Sequence, residues 1–531
     1  MAKSNVQLYH VHDFRLTSKT VYENPFRVNL TATFTHESGR KIVNLPGFYD
    51  GGKTWKVRFS PTALGEWKGV TTSDDAAMNG VVLPTVTCVP NRNPAVRGQV
   101  RIDPRHPHRF VWEDGTAYIP LGFELDWLAP FHQRLGQPKG KPVNPRNDRF
   151  TPAMDLLVKR GFNYLVSNLY AQERFTDPSH PYALTPPDMY CFGGTNDNPN
   201  HAVLNVNFFK DFDGAIATLH QRGLVVDLMI QVQNKKVNWP PRRSPEDDTF
   251  WRYVVARYQT YCNIIWDVSK ETFNLLKTSP CHAYVLGRID LIRRSDAYKH
   301  LVITHDPYIH SDGRTGEVDN VTDFASDQVH FSMTLDKEAM LASARLYNRE
   351  AIRRFRTTHK PYVNIEYGYE LGVGPDKSID NNACRPWQDM LIWTYALYAG
   401  GAYANYYYNN TSWNLVKFSP EPESWVRYRC LRDFLEMMDL GPMVPDNEFV
   451  SRGMCQAEMG RQYFIFLPEG GDESADLSAV PSASTAKAVW MDIFTGKRAS
   501  VVLDQFGFRT PLANPLPDKT HPAAIYIKVE P

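Results

Sequence analysis

Between residues 117 and 407 the chain repeats one unit: a short run of aliphatic and aromatic residues, then a longer stretch with apolar residues three and four apart. Strands buried on both faces and joined by helical crossovers fit only a parallel sheet covered by helices. The apolar runs predict strands at 117–122, 161–168, 224–231, 263–268, 301–305, 328–333, 362–366 and 401–407. Helical periodicity predicts helices at 152–160, 207–222, 249–261, 282–294, 337–357 and 387–399. Eight strands in series predict an α/β fold of the (β/α)8 TIM-barrel type, in which the chemistry sits at the carboxyl ends of the strands.

Outside this stretch the period changes to two. Arg27–Thr35, Lys41–Leu45 and Lys56–Phe59 alternate, with turns at Asp50-Gly-Gly and His36-Glu-Ser-Gly; Gln462–Leu467, Ala488–Phe494 and Ala524–Val529 alternate in the same way. At 531 residues the chain exceeds what one core serves. The expected division is an N-terminal β-sandwich over 1–98, the barrel over 99–441 and a C-terminal β-sandwich over 442–531. Asp50, Lys53 and Trp55 read as turn-forming and interdomain packing residues.

Composition excludes several partners. With 59 basic against 58 acidic residues, the net charge of +1 leaves no footprint for nucleic acid or an anionic membrane. The 13% aromatic content suits carbohydrate faces. Seven scattered cysteines without a paired motif suggest neither a zinc knuckle nor a disulfide framework, and fit a reducing compartment. Met1–Leu8 lacks a secretory apolar core, so the expectation is a cytoplasmic protein, or a periplasmic or secreted one if a leader has been removed. Self-association is left open.

Two of the apolar runs end in carboxylates, Asn263–Glu271 and Pro361–Tyr369, the latter delivering Glu366. Hydrolysis of a glycosidic bond needs two converging carboxyl groups, one to protonate the leaving oxygen and one to attack or to activate water. Other polar and aromatic residues at predicted strand ends are candidates for holding sugar hydroxyls and ring faces. They are Glu124, Asp126 and Trp127 after the first strand, Asn168 after the second, and Gln231, Gln233 and Asn234 after the third. His305 follows the fifth strand, His330 lies in the sixth, and Tyr407 and Trp413 lie at or beyond the eighth. His305, Asp306 and His310 lack the spacing and the third ligand of a zinc site, and no metal or cofactor is expected. The nucleophile elbow, dinucleotide and phosphate-loop glycine patterns are absent.

Phe48-Tyr-Asp-Gly, Trp55-Lys-Val-Arg-Phe and Gly65-Glu-Trp, in that order, resemble the N-terminal domain of unknown function that precedes many bacterial glycoside hydrolases. From Phe110 to Gly441 the chain resembles a clan A glycoside hydrolase barrel, nearest to the apiosidase-like group. The resemblance implies a retaining hydrolase of oligo- or polysaccharides, with Glu366 as nucleophile and Glu271 as acid/base. One departure stands out: that family usually has Asn before the acid/base, and this chain has Lys270. A neighbouring ammonium lowers the pKa of an acid that must stay protonated. Two alternatives follow, a non-catalytic carbohydrate-binding barrel and a polysaccharide lyase. Tyr170, Arg174, Trp239, Arg242 and Arg243 on the loops hint at acidic or bulky sugars.

Overall fold

The computed structural model describes residues 3–132, 147–172, 182–184, 189–233, 235–276, 279–306, 320–331, 336–372 and 384–530. Asn234, Arg174 and His310 lie outside them. Its largest sheet has eight strands in spatial succession, Leu121–Glu124, Tyr164–Asn168, Val225–Val232, Ile264–Lys270, Val302–Ile303, Ala325–Asp327, Tyr362–Asn364 and Tyr403–Tyr406, the first of them paired with the last. Every ladder is parallel. The ring is nearly closed: between the fifth and sixth strands only isolated bonds run, such as Asp306 N to Ser326 O at 3.0 Å and Asp323 N to Val302 O at 2.9 Å. Strands three and four are buried at every residue, which is why Val-Val-Asp-Leu-Met-Ile and Ile-Ile-Trp-Asp-Val read as unbroken apolar runs.

Two predicted strands shift. Ala117–Tyr118 pairs antiparallel with Phe110–Val111 in a small separate sheet, and the first barrel strand begins only at Leu121. Pro120 lies between them, and without an N–H it cannot carry a ladder through. The sixth strand is Ala325–Asp327, not 328–333. Beyond Asp327 the backbone leaves the ladder because the Asn364 side chain brackets Val329, taking its N–H at 3.4 Å and donating to its carbonyl at 3.3 Å.

Helices start where short polar side chains take up the first N–H groups. Asn205 accepts from Asn207 N and Phe208 N, Ser244 from Asp247 N, and Asp336 from Ala339 N. Helix Trp387–Ala399 has no polar stripe because it is buried on all sides. Its outer face meets the C-terminal six-stranded sheet, where Tyr395 stacks on Phe466 at 5.4 Å. That sheet uses its period of two twice. Phe464, Phe466 and Met491 join the barrel core, while Tyr463, Ile465, Leu467 and Trp490 build a second apolar cluster behind it.

At the N-terminus a five-stranded and a three-stranded sheet enclose one cluster containing Phe14, Phe34, Trp55, Val57 and Trp67. This unit is clamped to the barrel by buried charge. Arg257 of helix Pro245–Tyr258 pairs with Asp50 at 3.2 Å and Asp213 at 2.7 Å, and Arg58 pairs with Asp13 at 2.8 Å and Asp213 at 3.0 Å. The Phe48 ring lies between the two guanidiniums, 5.1 Å from Arg58 and 4.7 Å from Arg257. The Phe-Tyr-Asp-Gly motif therefore holds two units together. Among the described residues no helix is long and apolar enough to cross a membrane.

Candidate active site

The carboxyl ends of strands one, four and seven bring four acids and a lysine into one buried group. Parallel pairing puts Glu124 level with Val166 and sets Lys270 beside Val232, so both side chains leave the barrel rim at the same end. Lys270 is 2% exposed. It pairs with Glu124, and lies 3.4 Å from Asp126 Oδ1 and 3.5 Å from Glu366 Oε2. Burial works against its charge, yet Asp126, Glu124 and Glu366 together hold its pKa well above the ordinary lysine value.

Glu366 stands two residues past the seventh strand, and its carboxylate is the acceptor for several donors. Gln328 Nε2 donates to Oε1 at 2.9 Å, the Tyr369 hydroxyl donates to the same oxygen, and Lys270 reaches Oε2. The His330 ring lies 3.8 Å away. Gly368, with φ at 142°, lets the chain fold back so that Tyr369 reaches the carboxylate three residues before it.

Glu271 follows Lys270 in a left-handed conformation, φ 48°, that costs a non-glycine residue about 1–3 kcal/mol. Its N–H donates to His305 Nδ1 at 3.2 Å, and Asn274 Nδ2 donates to its Oε2 at 3.2 Å. Burial raises the Glu271 pKa; Lys270 opposes this and the Glu366 charge reinforces it. The depression expected from Lys270 is thus outweighed by desolvation. His305 is held neutral, well below its ordinary value, by burial and by Lys270. Asp306 and Trp413 are also left-handed at φ 48°. Such outliers gather where a site over-determines the backbone.

Below these lie Asp126 and Glu124. Burial alone would raise the Asp126 carboxyl, but Lys270 and Lys235 override it and hold it below the usual range. It accepts from Tyr407 Oη and from Asn168 Nδ2 at 3.1 Å. Glu124 accepts from Asn405 Nδ2 at 3.3 Å, and burial pushes its carboxyl well up. Among the described residues Glu124, His305 and Glu366 form the single group with the composition of a metal site. The ammonium of Lys270 sits among the same carboxylates and supplies their cation, which does not suit a divalent ion there.

An aromatic wall borders the acids. Tyr369 stacks on Trp413 at 5.8 Å and meets Tyr407 at 4.7 Å, and Lys235 Nζ lies 5.4 Å over the Trp413 ring. A cavity of about 560 Å³, lined by Asp306, Gln328, Val329, His330, Phe331 and Arg354 among others, adjoins Glu366 through Gln328 and His330.

Of the expected residues, Glu124, Asp126, Asn168, His305, His330, Tyr407, Trp413, Glu271 and Glu366 come together. Three do not. Trp127 is packed inside the barrel core. Gln231 joins Asp247 and Tyr284, at 3.4 and 3.2 Å, and Gln233 donates to Gln231 at 3.2 Å. Arg242 belongs to that network through Gln233, Trp239 caps Val232 O at 2.9 Å, and Tyr170 bonds Gln172 at 2.7 Å. Arg243 lines a separate cavity of about 550 Å³ between the N-terminal sheets and helix Pro245–Tyr258. Sequence reasoning missed Lys235, Gln328, Tyr369 and Asn405 as site residues. Tyr369 was signalled by the Tyr-Gly-Tyr turn, and Gln328 was hidden by placing the sixth strand too late.

Two family models match the chain: residues 153–427 match the apiosidase-like catalytic domain, and residues 5–74 match a domain of unknown function, DUF5060. A comparison with curated proteins finds no match. Among solved structures, a "putative glycoside hydrolase" from Bacteroides vulgatus is 19% identical with a TM-score of 0.74, covering 99% of this chain and 100% of its own. A glycoside hydrolase family 5 protein from the same organism is 14% identical with a TM-score of 0.57, covering 82% and 94%. Another glycoside hydrolase, 15% identical, also has a TM-score of 0.57, covering 82% and 98%. At these identities the structures speak for the fold.

Proposed function

The chain belongs to the apiosidase-like catalytic family of glycoside hydrolases, and on that premise we propose that it cleaves a glycosidic bond of an oligo- or polysaccharide by double displacement. The observation that carries the proposal is the contrast between the two acids. Glu271 has its proton favoured by burial, whereas Glu366 accepts from Gln328 and Tyr369 and lies beside Lys270. In the first step a Glu366 oxygen attacks the anomeric carbon as the bond to the leaving oxygen breaks, and Glu271 gives that oxygen its proton. In the second step the Glu271 carboxylate takes a proton from water, the water oxygen attacks the anomeric carbon, and the ester bond to Glu366 breaks.

The aromatic wall of Tyr369, Tyr407 and Trp413 suits the apolar face of a sugar ring, and Asn168, His305 and His330 suit its hydroxyls. We read the flanking sheets as β-sandwich domains, with boundaries near residues 98 and 441. The test is turnover of nitrophenyl glycosides and polysaccharides by wild type and Glu366→Gln, with anomeric stereochemistry followed by NMR. The expected result is net retention and loss of turnover in the variant. Full activity in Glu366→Gln would refute the nucleophile assignment. Inversion would refute double displacement, binding without turnover would favour a non-catalytic barrel, and unsaturated products a lyase.

A further inference from the structure

A second pair of carboxyl groups lies deeper in the barrel, outside the chemistry assigned above. Asp227 of strand three and Asp267 of strand four are both fully buried and lie on neighbouring, parallel-paired strands, two ladder positions apart. Asp227 Oδ2 takes the hydroxyl of Tyr164 from strand two. Asp267 Oδ1 accepts two backbone N–H groups, Ser269 at 2.9 Å and His305 at 3.0 Å. The remaining oxygens, Asp227 Oδ1 and Asp267 Oδ2, are buried with no hydrogen-bond partner among the described residues. Ionising both of two neighbouring carboxyls in a dry interior is costly, and a single proton held between the two orphaned oxygens would satisfy both.

The backbone that Asp267 pins is the backbone that sets Glu271. Ser269 lies two residues before it, and His305, whose own N–H is held by Asp267, accepts the Glu271 N–H on Nδ1. The left-handed φ of Glu271 needs such an external hold. We propose that Asp267, sharing one proton with Asp227, is a positioning residue that holds the Glu271 carboxyl in place through His305. The proposal rests on the reading of Glu271 as proton donor. Burial supports the bridging proton: it raises Asp267 well above the carboxylate range and brings Asp227 to about 7, with Tyr164 and Lys270 opposing. Tyr164, Tyr118 and Lys270 are the titratable groups that act on the pair, and His305 meets it through its backbone N–H.

Asp267→Asn and Asp267→Leu separate the roles. In the first, the amide oxygen keeps both backbone bonds and the amide N–H replaces the shared proton. Its kcat and KM are expected within about twofold of wild type. In the second, both bonds are lost, and kcat is expected to fall about ten- to a hundredfold at unchanged KM, the cost of two buried hydrogen bonds. Urea unfolding between pH 5 and 9 gives a readout that needs no substrate. A raised carboxyl stabilises the fold at low pH, and that contribution is lost as pH rises toward about 7. The loss approaches about tenfold in the folding equilibrium per pH unit for one proton. Glu124 and Glu271, whose carboxyls are also raised, keep their own loss in Asp267→Asn, so the variant's slope should be shallower than wild type by the pair's proton. Parallel wild-type and Asp267→Asn profiles, or an Asp267→Asn chain unable to fold at neutral pH, overturn the shared proton. Wild-type kcat in Asp267→Leu at equal folded fraction overturns the positioning role. If Asp267→Leu does not fold, His305→Ala carries that test: it cuts the bond to Glu271 N, and unchanged kcat overturns the link. A shallower slope in Asp267→Asn, with no glycoside turned over by wild type, leaves the pair standing and fails the Glu271 reading.

Discussion

Replacing Lys270 by Met removes the one ammonium shared by Glu124, Asp126 and Glu366 while roughly keeping its volume. With contacts at 3.4 and 3.5 Å, each unit-charge attraction is about 5 kcal/mol at an effective dielectric of 20. Relaxation and proton uptake by the carboxyls absorb much of this. The expected net loss is that of a broken buried ion pair, about 3–5 kcal/mol, a large part of a stability that is typically about 5–15 kcal/mol. The loss must depend on pH. The Asp126 carboxyl is lowered by Lys270 in the folded chain. Its contribution is therefore present above the unfolded carboxylate range and disappears as pH falls through the lowered folded value. The gap between wild type and Lys270→Met should be widest near pH 7 and shrink as the carboxyls protonate. The assay is the urea midpoint at pH 7.5 and at about pH 3, below the unfolded carboxylate range, with Glu124→Gln/Lys270→Met as a third chain that removes the paired carboxylate and should recover part of the loss. An equal loss at both pH values, or a double variant less stable than the single one, would refute the electrostatic account and leave only packing.

Glu271→Gln should lower turnover of alkyl glycosides by about 10²–10⁴ but of nitrophenyl glycosides far less, because that leaving group needs no proton. In wild type the raised Glu271 carboxyl predicts activity that persists above the ordinary Glu range and falls as pH climbs through the raised value; a pH-rate profile checks this. Tyr369→Phe deletes one charge-assisted hydrogen bond to Glu366, worth about 1.5–3 kcal/mol, and kcat should drop about ten- to a hundredfold with little change in melting temperature. Arg257→Ala leaves Asp50 and Asp213 without that partner at the junction with the N-terminal sheets; limited proteolysis should then cut near that junction while the isolated catalytic rate is unchanged.

What could be read without coordinates follows from periodicity. Eight buried runs separated by helical stretches dictate a parallel barrel, because only the helix-covered parallel sheet buries both faces of a strand. A run that ends at a carboxylate places that acid at the barrel's carboxyl rim, so Glu366 and Glu271 were legible, and the Tyr-Gly-Tyr turn pointed to Tyr369. The helix at 387–399 was legible as a helix, but not as the seam to the C-terminal sheet, since an all-apolar surface does not say what covers it. The sixth strand was misplaced because Val329 and Phe331 alternate with polar residues like a strand; only the Asn364 side chain, 35 residues away in sequence, shows that the ladder has already ended.

The sequence by itself determined which residue types arrive at the rim and in what order. It presented Lys270 as a departure from a motif and Gln231 as the equal of Asn168. Tertiary structure decided that Lys270 binds Glu124 across 146 positions, that Gln231 turns to Asp247 instead, and that burial outweighs the ammonium at Glu271. The reason is physical. Periodicity is a local property of the chain, whereas pairing, desolvation and pKa depend on distances between segments that meet only when the barrel closes.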